Sequence, residues 1–248
     1  MSIESERDLD GMRRAGRVVA AVLAETRAAV EPGITTLELD RVAADAIEAR
    51  GARSAPADVY GAPCAIFVSV NGDVVHGLPG PHAVQAGDLV TLDVTASLDG
   101  YVADAAITVV VPPAQPQAQR LAACTRAALA DGLAHARAGA PVSAIGRAVE
   151  RRVRRGGFTV LRSLTGHGIG HTIHEPPTVP NWDDPRARGR LTHGLVITVE
   201  PLVTAGTEGL EEAADGWTIR TADGALAAHA EHTIVVTRGR PIVLTAAA

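Results

Sequence analysis

Lysine is absent from this chain, and aromatic residues make up only 2% of it. All 23 basic side chains are therefore arginine, which reads as a coding bias rather than a functional device. With so few aromatics, the core has to be built from Ala, Val, Leu and Ile. Cys64 and Cys124 are the only cysteines. Two are too few for a disulfide scaffold and lie too far apart for a zinc clip, so both read as small buried hydrophobes. Positive charge is also short: the formal net charge is −5, leaving no excess to neutralise phosphates and arguing against nucleic-acid binding. The one basic cluster, Arg151, Arg152, Arg154 and Arg155, reads as a solvated helix face. No segment reaches the roughly 20 apolar residues that span a bilayer. Met1 to Asp10 is acidic and polar, without a charged leader or a signal-length apolar stretch, so the expected location is cytoplasmic.

What the chain does have is the balance of a globular protein, 46% apolar and 21% charged over 248 residues. Residues 4–52 read as two helices separated by Glu31-Pro-Gly33, with Thr36 capping the second and Leu37, Val42, Ala43 and Ile47 as its apolar stripe. Short β-rich segments follow at Ile66–Val70, Leu89–Val94 and Tyr101–Val111, with turns at Asn71-Gly-Asp73 and Asp99-Gly100. Pro112, Pro113 and Pro116 mark a break. Helices then return at Gln117–Arg137 and in a run ending at Gly156-Gly157, and β segments occupy the rest. Gly33 to Gly51 has the same spacing as Gly139 to Gly157, and Leu39 and Ile47 overlay Ile145 and Val153. This points to a helix-helix-strand unit used twice. The competing reading is chance agreement between two Ala-rich helix pairs. A site between duplicated halves would draw its groups from both.

Carboxylates inside apolar β segments carry the chemistry. The Asp99-Gly100 turn folds two strands together and predicts that Asp93 and Asp104 lie close to cross-strand positions. Two carboxylates about 4 Å apart repel by roughly 4 kcal/mol at an effective dielectric of 20, so the pair needs a cation or a shared proton. The alternative is that one of them is an exposed turn residue. His167 sits among three glycines in Gly166-His-Gly-Ile-Gly, a segment that cannot be a stable helix. Its spacing to His171 is therefore not a helical zinc pair, and the glycines let the backbone approach something closely. Glu200 and Glu231 are embedded in apolar runs, where an unpaired carboxylate is costly; solvent-facing edge positions are the bland alternative. One imidazole and four carboxylates suit a pair of divalent manganese, iron or cobalt ions, with zinc the remaining candidate. Such a pair activates water and polarises a carbonyl, which is hydrolysis of an acyl bond.

Val74-Val-His76-Gly-Leu-Pro, the Asp93/Asp104 hairpin, Gly166-His-Gly-Ile-Gly, His174-Glu-Pro-Pro, Val199-Glu-Pro, Asp215-Gly-Trp217 and Glu231-His-Thr-Ile-Val-Val-Thr together resemble type I methionine aminopeptidases in order and spacing, from about residue 7 to about residue 245. The resemblance implies an α/β (α+β) pita-bread fold: one catalytic domain over residues 1–248, with pseudo-two-fold halves at about 4–113 and 114–245 around a central antiparallel sheet. It implies that Asp93 binds one metal, that Asp104 and Glu231 bridge both, and that His167 and Glu200 complete the other. Glu200 is then the proton relay, His174 the partner of the scissile carbonyl, and His76 a neighbour of the leaving amide. Thr95 and Thr198 are outer supports, and His82, His135 and His193 are surface residues. The first side chain of the substrate is expected against Ala62, Phe67, Ile173 and Trp217. Ala62, Phe67 and Ile173 depart from the family's usual aromatic, cysteine and Phe or Met. His229 and Ala230 replace a Gln/Tyr-like pair, a change the sequence does not explain.

The implied substrates are peptide and nascent-protein N-termini, with the ribosome a further expected partner, a monomeric state, and no membrane or nucleic-acid contact. The lack of an insertion between His174 and Glu200 and of a zinc-binding extension points to the short bacterial form. Two alternatives are a pita-bread peptidase with shifted first-residue preference or of the Xaa-Pro kind, and a non-catalytic binding protein on the same fold.

Overall fold

The computed structural model describes residues 1–246. It opens with α1 (Glu6–Ala29) and α2 (Thr36–Glu48), then β1 (Arg53–Ser54), α3 (Ala55–Tyr60), β2 (Phe67–Val70), β3 (Asp73–Val75), β4 (Leu89–Leu98) and β5 (Tyr101–Val110). A second helix pair, α4 (Pro116–His135) and α5 (Ser143–Arg155), precedes β6 (Thr159–Val160), β7 (Thr165–Gly168), β8 (Glu175–Pro180) and β9 (Val196–Val199). The chain finishes through β10 (Leu202–Thr204), β11 (Leu210–Glu212), β12 (Ile219–Thr221), β13 (Ala227–His229), β14 (His232–Val235) and β15 (Ile242–Val243). Among the described residues no helix is long and apolar enough to cross a membrane.

Helix α1 forms because Ser5 caps it, accepting from the Asp8 N–H, and because Met12, Ala15, Val19, Val22 and Leu23 recur on one buried face. Helix α2 is capped by Thr35 rather than the expected Thr36. Thr35 and Glu38 form a reciprocal capping box, and Thr36 is the first helical residue. Its buried stripe is Leu39, Ala43, Ala46 and Ile47. Leu37 is exposed and Val42 half-buried, because neither lies on the face that turns toward α1. The short α3, capped by Ser54 with Pro56 in its first turn, has no counterpart in the sequence reading. Six residues are too few to show a helical period.

Each helix pair covers its own sheet. Helices α1 and α2 bury Val19, Leu39 and Ile47 against Val90, Leu92, Val94 and Val102 of the β1-β4-β2 sheet and its attached β5. Helices α4 and α5 bury Leu121, Ile145, Val149 and Val153 against Ile197, Val199 and Ile234 of the β15-β14-β9-β7-β8 sheet. The arginine cluster on α5 is exposed, as are His82, His135 and His193. Cys64 is buried, whereas Cys124 is only half-buried at the edge of the second core.

The two sheets meet along β5 and β14. The Asp104 N–H donates to Thr233 Oγ1 (2.9 Å), and that hydroxyl donates to the Asp104 carbonyl (2.7 Å). Next to it the Glu231 N–H donates to the Ala106 carbonyl (2.9 Å). This seam fixes Asp104 from the first sheet beside Glu231 from the second.

Candidate metal centre

The β4–β5 hairpin closes with Leu98 opposite Tyr101 through a two-residue turn, Asp99 and Gly100, both at positive φ (51° and 82°). Counting back from that turn, Asp104 faces Thr95 and Asp93 faces Ala106. Asp93 and Asp104 are thus diagonal rather than opposed, two residues apart in register and on the same face of the pleat. They still meet: both line one cavity, and the charge of Asp93 raises the pKa of Asp104.

His167 comes from strand β7 rather than a loop, and its glycine neighbours have a packing role. A Cβ on Gly168 would collide with the Pro176 carbonyl, and one on Gly166 would press on Thr198, so what approaches closely is the neighbouring backbone. The His167 Nδ1 is held by the Gly168 carbonyl (2.9 Å), leaving Nε2 facing Glu200 Oε1 at 3.5 Å. Glu200 follows β9 directly. Its Oε1 accepts from Thr198 Oγ1 (2.6 Å), which also accepts from the His167 N–H (3.0 Å), so one buried threonine positions both residues. Glu231 lies with Ala230 in the two-residue gap between β13, which ends at His229, and β14, which starts at His232.

Asp104, His167 and Glu231 each offer a ligand atom within 4.8 Å of the others, and Asp93 and Glu200 line the same cavity of about 320 Å3. Burial pushes Asp93 up to about 7, with the neighbouring Asp104 carboxyl pulling the other way. Burial lifts Glu200 to about 8 against the Thr198 hydrogen bond, with the charge of Asp93 adding to the rise. Asp104 and Glu231 are raised well above the carboxylate range, by burial first and then by their acidic neighbours. Burial depresses the histidines: His167 to about 4, with the charge of His174 contributing, and His229 to about 3, with that of His76 contributing. Asp104 Oδ1 and Glu231 Oε1 are buried with no hydrogen-bond partner among the described residues. Four crowded carboxylates and two neutral imidazoles, with acceptor oxygens left unsatisfied, fit divalent cations in both charge and donor type.

Above the carboxylates the cavity is walled by His76, His174, Phe67, Ile173 and Trp217. The Phe67 ring lies 4.9 Å from that of His76 and 5.9 Å from that of Trp217, centroid to centroid. Asp215 Oδ1 accepts from the Trp217 and Thr218 N–H groups (2.8 Å each), an Asx turn that aims the indole. Glu175 Oε1 accepts from the His171 and Thr172 N–H groups (2.8 and 3.0 Å), shaping the turn that presents Ile173 and His174. Ala62 does not reach the cavity. It packs with Cys64, Leu78 and Trp217 behind Phe67, because a methyl side chain cannot extend past that ring.

Two titratable lining residues were given no site role by the sequence. Tyr60, at the end of α3, places its hydroxyl 2.6 Å from His174 Nδ1. Burial raises its pKa, so the phenol keeps its proton, and when it donates, Nδ1 is the acceptor. The neutral imidazole then carries its own proton on Nε2. His229 is fully buried in the cavity wall. A usable signal lay in the scarcity of aromatics: of two each of Phe, Tyr and Trp, Tyr60, Phe67 and Trp217 all line this cavity.

The model of metallopeptidase family M24 matches residues 10–238. The chain is 38% identical over 247 residues to methionine aminopeptidase 2 of Bacillus subtilis (strain 168), covering 99% of each. Its structure is similar to that of methionine aminopeptidase from Rickettsia prowazekii, with a TM-score of 0.95, 34% identity and coverage of 99% of this chain and 100% of that one. A prolidase from Pyrococcus furiosus shares the fold alone, at 18% identity and a TM-score of 0.78 over 99% of this chain and 66% of that one. The pita-bread fold expected from the motifs is therefore the fold observed.

Proposed function

The chain belongs to metallopeptidase family M24, and on that footing we propose that it is a methionine aminopeptidase working at the cavity lined by its two helix-covered sheets and their neighbouring strands. It is a metal-dependent hydrolase that removes the N-terminal methionine from peptides and nascent proteins, as full-length similarity to enzymes so named supports. The Xaa-Pro alternative is not favoured, since the prolidase likeness is confined to the fold. The observation that carries the reading is the convergence of four carboxylates, three of them buried and Asp93 half-buried, and one imidazole on one cavity.

Asp93, Asp104, His167, Glu200 and Glu231 would hold two divalent ions, and manganese, iron or cobalt suit this donor set. Ions so held supply an acidified water and a polarised scissile carbonyl. Glu200, fixed by Thr198, takes the proton from the attacking water and delivers it to the leaving amine. His174, with its proton on Nε2, donates to the carbonyl oxygen as negative charge develops there. His76 lies along the path of the leaving amide, and Phe67, Ile173 and Trp217 hold the first side chain. The protein acts as one catalytic unit with halves at about 4–113 and 114–245, and as a monomer.

Release of the first residue from Met-Ala, Leu-Ala, Ala-Ala and Ala-Pro peptides, with manganese, cobalt or iron restored to chelator-treated protein, tests the reading. Metal-dependent release of methionine, abolished in Glu231→Gln, is the expected result. Bound metal without turnover on any peptide would instead indicate a binding protein. The Tyr60 contact adds a second expectation. Tyr60→Phe removes the donor that fixes the His174 tautomer and lowers kcat about tenfold, the equivalent of one hydrogen bond, with KM little changed. Steady-state kinetics that show the loss in KM alone would remove Tyr60 from that role.

A further inference from the structure

His229 stands out among the polar groups of the cavity. It is 2% exposed, and neither ring nitrogen has a hydrogen-bond partner among the described residues. Its backbone is clamped: the N–H donates to Thr108 Oγ1 (2.9 Å) and the carbonyl accepts from the same hydroxyl (2.8 Å). Two residues on, Glu231 projects to the same side of the extended chain, which brings His229 Nε2 to 3.6 Å from Glu231 Oε2.

Two of the five ligand residues already have a support outside the ligand set. His167 Nδ1 is held by Gly168, and Glu200 by the Thr198 hydroxyl. Glu231 has no such partner, and its Oε1 is buried unsatisfied. Groups that ligate metals are themselves hydrogen-bonded from behind, and losing that contact weakens binding. We propose that His229 is the positioning residue for Glu231, donating Nε2–H to Oε2 and so holding this carboxylate in the orientation that ligates metal. The inference deepens the two-metal reading above and rests on it.

The neutral ring has one N–H to give, and Glu231 Oε2 is the acceptor that the clamped backbone sets before it. The gap of 3.6 Å closes to hydrogen-bond length with a shift of less than about 1 Å. Negative charge held on Glu231 by neighbouring cations strengthens that bond.

The test is calorimetric titration of Mn(II) or Co(II) into chelator-treated wild-type protein, His229→Leu, His229→Met and His229→Gln, with near-ultraviolet circular dichroism to establish which variants are folded. The apolar variants should bind at least one of the two ions roughly 10- to 100-fold more weakly, and shift the visible Co(II) absorption of the doubly loaded protein. His229→Gln should restore both. Wild-type affinity in a folded Leu or Met variant overturns the inference, as does a Gln variant as weak as the apolar ones, which would make the imidazole a direct ligand. A wild-type protein that binds fewer than two ions overturns the two-metal reading and this inference with it, so the two failures are distinguishable.

Discussion

Glu200→Gln is expected to lower kcat by roughly 10²- to 10⁴-fold, the usual contribution of a positioned proton-transfer group. The amide keeps the shape of the carboxylate and can still receive the Thr198 hydroxyl, so packing is preserved. It cannot take a proton from the attacking water. Because that transfer happens only on the way to the transition state, kcat and kcat/KM should fall together. The comparison needs metal content measured on the same samples, since Glu200 Oε1 also lies 3.5 Å from His167 Nε2 and belongs to the candidate ligand set. A folded variant that keeps its metal and works within about tenfold of wild type would take the proton relay away from Glu200. A variant that loses metal as well as activity would make Glu200 a ligand before anything else.

The carboxylates were legible because charge inside apolar strands needs an explanation. Asp93, Glu200 and Glu231 each sit in an apolar β segment, and the structure gathers all of them around one cavity. The Asp99-Gly100 turn was equally legible, since a pair at positive φ selects a two-residue hairpin. Register was the harder inference: the turn puts Thr95 opposite Asp104, and only counting outward from Leu98 and Tyr101 shows it.

The missed features are those in which tertiary context decides between equal local options. Thr35 and Thr36 are both good caps, and the one that can exchange hydrogen bonds with Glu38 takes the position. Leu37 is apolar, but it falls on the outer face of α2. Ala62 occupies a position expected to line the pocket, yet its methyl stays behind Phe67, while Tyr60 reaches in from a helix too short to leave a periodic trace. Nothing in the sequence around His229 reveals that both of its ring nitrogens end up buried beside Glu231.

Removing the metal should leave a protein whose stability falls as the pH rises from about 6.5 to about 8. The folded-state values of Asp93 and Glu200, about 7 and about 8, lie above their ordinary values of 3.8 and 4.5. Between those limits the folded chain binds more protons than the unfolded one. The contribution of the protonated carboxyls is therefore complete below the ordinary values and is lost as pH rises through the folded ones. His167 and His229 work in the opposite sense. Their folded-state values of about 4 and about 3 lie below 6.5, so their contribution grows with pH up to 6.5 and is constant above it. Below pH 6.5 the two groups offset each other; above it only the carboxylates act, with a slope of up to about 1.4 kcal/mol per pH unit for each proton released. Divalent ions keep the carboxylates ionised and remove this slope, and binding itself adds about 2.7 kcal/mol when the ion is at about a hundred times its Kd. Urea midpoints across this range, with chelator and with manganese, should diverge as pH rises, because protons that resist leaving at pH 6.5 have already left at pH 8 and no longer compete with the ion. A chelated protein that is as stable at pH 8 as at 6.5 would mean that the carboxylates escape their mutual repulsion without a cation, and the electrostatic case for a metal centre would fall with it.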